Sequence, residues 1–147
     1  GGRGGGGVTP RVREILETSV YAEDLAAAER FYAEVLGMER IARVPGRHVF
    51  FRCGDRVFLV FNAARTMEGG MLPPHGATGP GHVAFAVAED ELAEWRARLE
   101  AHGVGVETEF AWPGGGHSIY FRDPAGNSLE LGTPAIWRIE EARIFRD

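Results

Sequence analysis

Two stretches of the chain share one pattern of hydrophobic and polar positions. Residues 15–22 (ILETSVYA) form a short β-compatible run that leads into Glu23 and Asp24. Residues 80–87 (PGHVAFAV) form another, leading into Glu89 and Asp90. Acidic pairs suit the positive end of a helix, so a helix is predicted after each, with Asp24 or Asp90 as its cap. The first helical pattern carries Leu25, Ala28, Phe31, Tyr32, Val35 and Leu36, and the second carries Leu92, Trp95 and Leu99. Those spacings place the apolar residues on one helical face. Gly37 and Gly103 then stop the two helices.

Three strand-like runs follow each stop. They cover residues 38–44, 47–53 and 56–62 in the first half, and 104–111, 117–122 and 128–132 in the second. Pro45-Gly46, Gly54-Asp55, Pro113-Gly114 and Pro124-Ala125-Gly126 punctuate them as turns. The order β-α-β-β-β therefore occurs twice. It predicts an α+β fold of two βαβββ modules, whose strongly twisted sheets curl into an eight-stranded half-barrel cup. The expected layout is a flexible glycine-rich leader (1–13), one domain (14–134) and a C-terminal tail (135–147) that has a short docking helix. Within the domain, module one spans 14–62, the linker 63–79 and module two 80–134. The linker exceeds the usual ~4–6 residues, so it is expected to be functional or to cover something.

Composition narrows the function classes. A length of 147 residues suits one domain, and 44% hydrophobic with 25% charged residues is enough to build a soluble core. A net charge of −5 argues against nucleic acid or an anionic membrane as the main partner. No apolar run approaches the ~18–20 residues that span a bilayer. The leader lacks the apolar core of a secretory signal, and Cys53 is the single cysteine, so no intramolecular disulfide forms. A cytoplasmic protein is the expectation.

Strand alternation then selects the chemistry. Glu17, Ser19 and Tyr21 share a face of the first strand, and His82, Ala84 and Ala86 share the equivalent face of its repeat. Glu130 stands between Leu129 and Leu131 on the last strand. Each has an ordinary reading: Glu17 as a solvated strand start, His82 as a structural donor, Glu130 as an outward polar residue. The repeat changes the balance, because a pseudo-two-fold brings equivalent strands together. Two carboxylates and one imidazole converging on one cavity make a hard divalent-metal site or an acid/base group. On the same parity, His48, Phe50, Ser118 and Tyr120 line the cup, and Trp112 forms a lip beside Pro113-Gly114-Gly115-Gly116. His75 and His117 lie nearer loops, and His102 at a helix C-terminus reads as a surface residue.

Val20, Asp24, Leu25, Phe31, Tyr32, Val35, Leu36, Gly37 and Met38 in the first module form one part of a family pattern. Residues 81–87 (GHVAFAV) and 120–131 (YFRDPAGNSLEL) in the second form the rest. Together they resemble the vicinal oxygen chelate superfamily: glyoxalase I, fosfomycin-resistance thiol transferases, extradiol dioxygenases, methylmalonyl-CoA epimerase and bleomycin-binding proteins. The resemblance covers about residues 15–134 and implies a glyoxalase-like fold. It implies metal ligands from the first strand of each module and the last strand of the second, which are Glu17, His82 and Glu130. Glu17 departs from the histidine or glutamine common at that position. A fourth ligand used by glyoxalase I would fall near Phe58 to Val60, where no ligand stands, which counts against ordinary glyoxalase I activity. The Glu/His/Glu set also differs from a two-histidine, one-carboxylate iron site. Tyr120 matches a phosphonate-binding tyrosine of the fosfomycin transferases, whose other anion-binding residues have no clear counterpart here.

Two functions stay open at this level. One is a metalloenzyme of lyase, isomerase or thiol-transferase type, with a divalent ion (Zn, Ni, Mn, Fe or Co) acting on a bidentate oxygen substrate. Glu17 or Glu130 would detach to move a proton. The other is a metal-free drug-binding protein of the bleomycin-resistance kind, walled by Phe50, Trp112 and Tyr120. The resemblance further implies a homodimer, in some relatives with modules swapped between chains.

Overall fold

The computed structural model describes residues 9–145, and the glycine run of residues 1–7 lies outside them. The first module runs β1 (Glu17–Tyr21), α1 (Leu25–Arg30), a π-helical turn (Phe31–Val35), β2 (Glu39–Val44), β3 (His48–Cys53) and β4 (Arg56–Phe61). The second repeats it with β5 (His82–Ala86), α3 (Leu92–Ala101), β6 (Thr108–Ala111), β7 (His117–Arg122) and β8 (Ser128–Gly132). Between them the linker carries a short α2 (Ala63–Thr66). The sheets are ordered β1-β4-β3-β2 and β5-β8-β7-β6, so the repeat holds down to strand order. In each, the first and last strands pair in parallel and the rest antiparallel. The α+β reading with two βαβββ modules is therefore what the chain adopts. Within one chain the eight strands stay in two separate sheets of four.

Local chemistry sets the boundaries. Asp24 caps α1, its carboxylate accepting from the Ala27 amide at 3.0 Å. Asp90 does not cap α3. It lies in a 3₁₀ turn (Glu89–Glu91), and Glu91 instead accepts from the Ala88 amide at 3.0 Å. Gly37 and Gly103 end the helices at φ of 72° and 70°, a left-handed conformation that glycine adopts without steric cost. β6 begins at Thr108 rather than at residue 104. The tail forms 3₁₀ turns at Pro134–Trp137 and Glu141–Arg143 in place of the expected helix, and docks where Glu141 accepts the Glu89 amide at 2.7 Å.

One core serves both modules. Val20, Val49, Phe51, Phe58 and Val60 of the first sheet pack with Phe31 and Tyr32, and with Ile119, Phe121, Leu129 and Leu131 of the second. Phe31 meets Phe121 at 6.3 Å, and Phe58 meets Phe85 edge-on at 5.3 Å. A buried polar clamp crosses the same junction. Tyr32 donates to Asp123 Oδ2 (2.6 Å), and Asn127 donates to Asp123 Oδ2 (2.9 Å) and to the Tyr21 carbonyl (3.2 Å). Asn127 also accepts from the Gly81 amide (2.8 Å). Both sheets thus turn their apolar faces to the shared core. The faces that carry Glu17 and His82 are the opposite ones.

Candidate metal centre

His82 and Glu130 come together. β5 and β8 pair in parallel with His82 opposite Ser128 and Ala84 opposite Glu130, which sets both side chains on the open face of the second sheet. His82 Nε2 lies 3.5 Å from Glu130 Oε1. His82 Nδ1 lies 3.0 Å from the Ser128 carbonyl oxygen, which only accepts, so Nδ1 carries the proton and donates. With Nδ1 as the donor to Ser128, His82 turns Nε2 toward a carboxylate oxygen. An imidazole nitrogen and a carboxylate oxygen converging at that distance suit a positive charge held there, a proton or a cation. A backbone carbonyl bonded to the distal nitrogen is the usual arrangement that orients a metal-binding histidine. The donor chemistry of this pair fits a divalent cation.

Glu130 is 9% exposed and His82 is open, so one ligand is held from behind and the other from the side. Ser118, fully buried, donates to Glu130 Oε2 at 2.5 Å, and the Trp112 indole donates to Ser118 Oγ at 2.9 Å. Both residues were expected as substrate contacts. The structure places Ser118 beneath the carboxylate and ties Trp112 to it. Tyr120 flanks Glu130 across the β7–β8 ladder, half-buried on the same face.

Glu17 is elsewhere. It pairs with Val57 on the first sheet, is exposed, and its carboxylate makes no hydrogen bond or ion pair among the described residues. Among the described residues no group of three His, Cys, Asp or Glu side chains is arranged to hold a metal. Among the described residues Glu17 does not meet His82 and Glu130, because the shared core occupies the space between the modules and the two polar faces point away from it.

The open face of the first sheet is aromatic. Tyr21, Phe61 and His48 line up across β1, β4 and β3, with Ser19, Leu59 and Phe50 as the next row. Leu59 is buried between Ser19 and Phe50. Phe50 stacks on His48 at 4.0 Å and 10°. Arg47 Nη1 lies 2.7 Å from His48 Nδ1, and arginine only donates, so Nδ1 is bare and Nε2 carries the proton. Burial, and then the Arg47 charge, lower the His48 pKa. The linker returns over this face: the His75 ring packs edge-on against Phe61 at 4.7 Å and its Nδ1 meets the Tyr21 hydroxyl at 2.7 Å. His117 points away from the cup, hydrogen-bonded to Glu109 at 3.0 Å, and His102 caps α3 in solvent. Sequence reasoning missed the Tyr32–Asp123–Asn127 clamp and the Arg47–His48 pair. The residues of the first stood in the family pattern, but they lie far apart in sequence and spacing alone does not show that they meet. The second was readable as a cation beside a strand histidine.

Comparison with known proteins places this geometry in a family. Residues 14–131 match the model of the Glyoxalase/Bleomycin resistance protein/Dioxygenase superfamily. The chain is 35% identical over 121 residues to the glutathione transferase FosA of Serratia marcescens, covering 82% of this chain and 80% of that one. It is 27% identical over 115 residues to the metallothiol transferase FosB of Bacillus licheniformis, covering 78% and 71%. Among solved structures, a lactoylglutathione lyase from Agrobacterium tumefaciens superposes with a TM-score of 0.85 at 42% identity, covering 88% of this chain and 100% of that one. The chain belongs to the glyoxalase/bleomycin resistance protein/dioxygenase superfamily.

Proposed function

We propose that the protein is a divalent-metal-dependent enzyme of the thiol-transferase or lyase type, working as a homodimer. His82 and Glu130 of one chain and Glu17 of a second copy hold the ion. The observation that carries this reading is the His82 Nε2–Glu130 Oε1 pair, two lone-pair donors converged at 3.5 Å with the imidazole tautomer set by Ser128. The names of the relatives, a glutathione transferase, a metallothiol transferase and a lactoylglutathione lyase, support the reaction class. The exposed, unpartnered Glu17 carboxylate supports its use across an interface, since the faces of the two modules do not meet within one chain.

Once bound, the ion would supply Lewis-acid polarisation of a substrate with two neighbouring oxygens. The chain's own groups do the rest. His82 donates from Nδ1 to the Ser128 carbonyl, which fixes its ring and leaves Nε2 for the ion. Glu130 has one oxygen committed to Ser118 and one free, so it holds its place while Oε1 accepts a proton. Glu17 is unrestrained by neighbours and is the carboxylate best able to detach and carry a proton. Phe50, Trp112 and Tyr120 wall the substrate, and His48 offers an Nε2–H to an acceptor oxygen.

The test uses two inactive variants, Glu17→Ala and His82→Ala, each prepared alone and then mixed by subunit exchange. Neither homodimer binds Co(II) tightly. In a two-fold dimer with shared sites, each mixed dimer regains one intact site, so the mixture recovers about one quarter of the wild-type capacity. No recovery on mixing places all ligands on one chain. Unaltered Co(II) binding by His82→Ala refutes the metal centre itself.

A further inference from the structure

The Trp112 indole has a role that a substrate wall does not require. An indole nitrogen only donates, and a serine hydroxyl donates a single hydrogen. Trp112 Nε1 lies 2.9 Å from Ser118 Oγ, and Ser118 Oγ lies 2.5 Å from Glu130 Oε2. With the indole occupying one hydroxyl lone pair, the Ser118 hydrogen is directed at Glu130. Glu130 Oε2 must then be an acceptor, and Oε1 turns to His82. The direction of every hydrogen bond follows from the donor at the head of the chain.

The lip is built to hold that donor still. Trp112 accepts at its carbonyl from the Gly115 amide (2.9 Å) and donates from its amide to the Gly116 carbonyl (3.0 Å), closing the turn on itself. Gly116 has φ of 94°, and a Cβ there would sit 2.5 Å from the Ile136 backbone nitrogen, so the turn seats against the tail with no side chain between. Phe110 packs edge-on to Trp112 at 4.7 Å. On the far side of Glu130, a Cβ at Gly132 would lie 3.3 Å from Oε2, so that oxygen fits closely between Ser118 and the β8 backbone.

We infer that Trp112 and Ser118 are positioning residues for the cation, acting in series through Glu130, and that the 112–116 lip sets metal affinity from the rim of the cup. This rests on the metal-centre reading above. Outer partners that orient a ligand are worth roughly 10–100-fold in metal affinity. Ser118→Ala removes the last donor directly and takes that loss. Trp112→Phe keeps the ring, loses only the N–H and weakens binding in the same direction by less.

The experiment is Co(II) titration calorimetry on the full chain at one pH. It compares wild type, Trp112→Phe, Ser118→Ala and the double variant, with Trp137→Phe as an exposed-tryptophan control. Urea midpoints measured alongside separate lost binding from lost folding. Residues acting in series make the double variant no weaker than Ser118→Ala alone, whereas independent packing effects add. Wild-type affinity in both single variants, or additive losses in the double variant, overturns the inference and leaves the metal centre standing. Absence of Co(II) binding by the wild-type dimer overturns both.

Discussion

Replacing Tyr32 by phenylalanine removes one oxygen from the junction between the modules. The hydroxyl donates to Asp123 Oδ2 at 2.6 Å, and both side chains are buried. Asp123 accepts three further hydrogen bonds, from the amides of Ala125 and Asn127 at 2.9 Å each and from Asn127 Nδ2 at 2.9 Å. The carboxylate therefore keeps most of its solvation after the change, and the loss is one hydrogen bond to a buried charged group. That is worth about 2 kcal/mol, or roughly 6–8 °C in Tm for a domain of this size. A second signature separates the hydrogen bond from packing. Burial, and then the Asp123 charge and its hydrogen bond, hold the Tyr32 phenol well above its ordinary value of 10.0. The unfolded chain releases this proton near pH 10 while the folded chain retains it. The stabilisation is fully present below that pH and is lost as pH rises above it, with a slope of up to about 1.4 kcal/mol per pH unit. Tyr32→Phe should be less stable at pH 7 and should lose stability less steeply above pH 10. Urea unfolding at pH 7 and thermal melts from pH 7 to 11 measure both. A variant within ~0.5 kcal/mol of wild type, or one with an unchanged alkaline slope, refutes the reasoning.

Two further changes test the lip and the first sheet. Gly116→Ala forces a side chain into a left-handed φ of 94° and into the Ile136 backbone, and should destabilise by at least ~2 kcal/mol; an unchanged melting curve removes the argument that the turn is seated on the tail. His48 should titrate below its ordinary value of 6.5, burial contributing most and Arg47 the remainder, so it stays neutral at pH 7. Arg47→Gln should raise the midpoint only part of the way back, as read from the imidazole proton shifts by NMR. A wild-type midpoint at or above 6.5 contradicts the assignment of the His48 tautomer and environment.

Much of the fold was legible because it rests on local rules. Side-chain direction along a strand has period two, so the grouping of Glu17 with Ser19 and Tyr21, and of His82 with Ala84 and Ala86, followed from spacing alone. Helix stops at Gly37 and Gly103 and the Asp24 cap are equally local. The failures came where a competing local partner was available. Glu91 reached the Ala88 amide and displaced Asp90 as the cap, and two 3₁₀ turns replaced the helix expected in the tail.

Tertiary structure decided which faces meet. The repeat made Glu17 and His82 equivalent, but equivalence under a pseudo-two-fold does not imply contact. The packing of Phe31 and Tyr32 against Phe121 and Asp123 turned the apolar faces inward and the faces that carry Glu17 and His82 outward. His82 and Glu130 meet because adjacent parallel strands place them side by side. Glu17, on the other sheet, cannot reach them past a filled core. The roles of Ser118 and Trp112 belong to the same category. Alternation put Ser118 on the cup face, but only the closed turn at residues 112–116 aimed an indole N–H at its hydroxyl and made it a support for Glu130. Spacing specifies the direction in which a side chain leaves the backbone. What it meets there depends on burial and hydrogen bonding between segments distant in the chain.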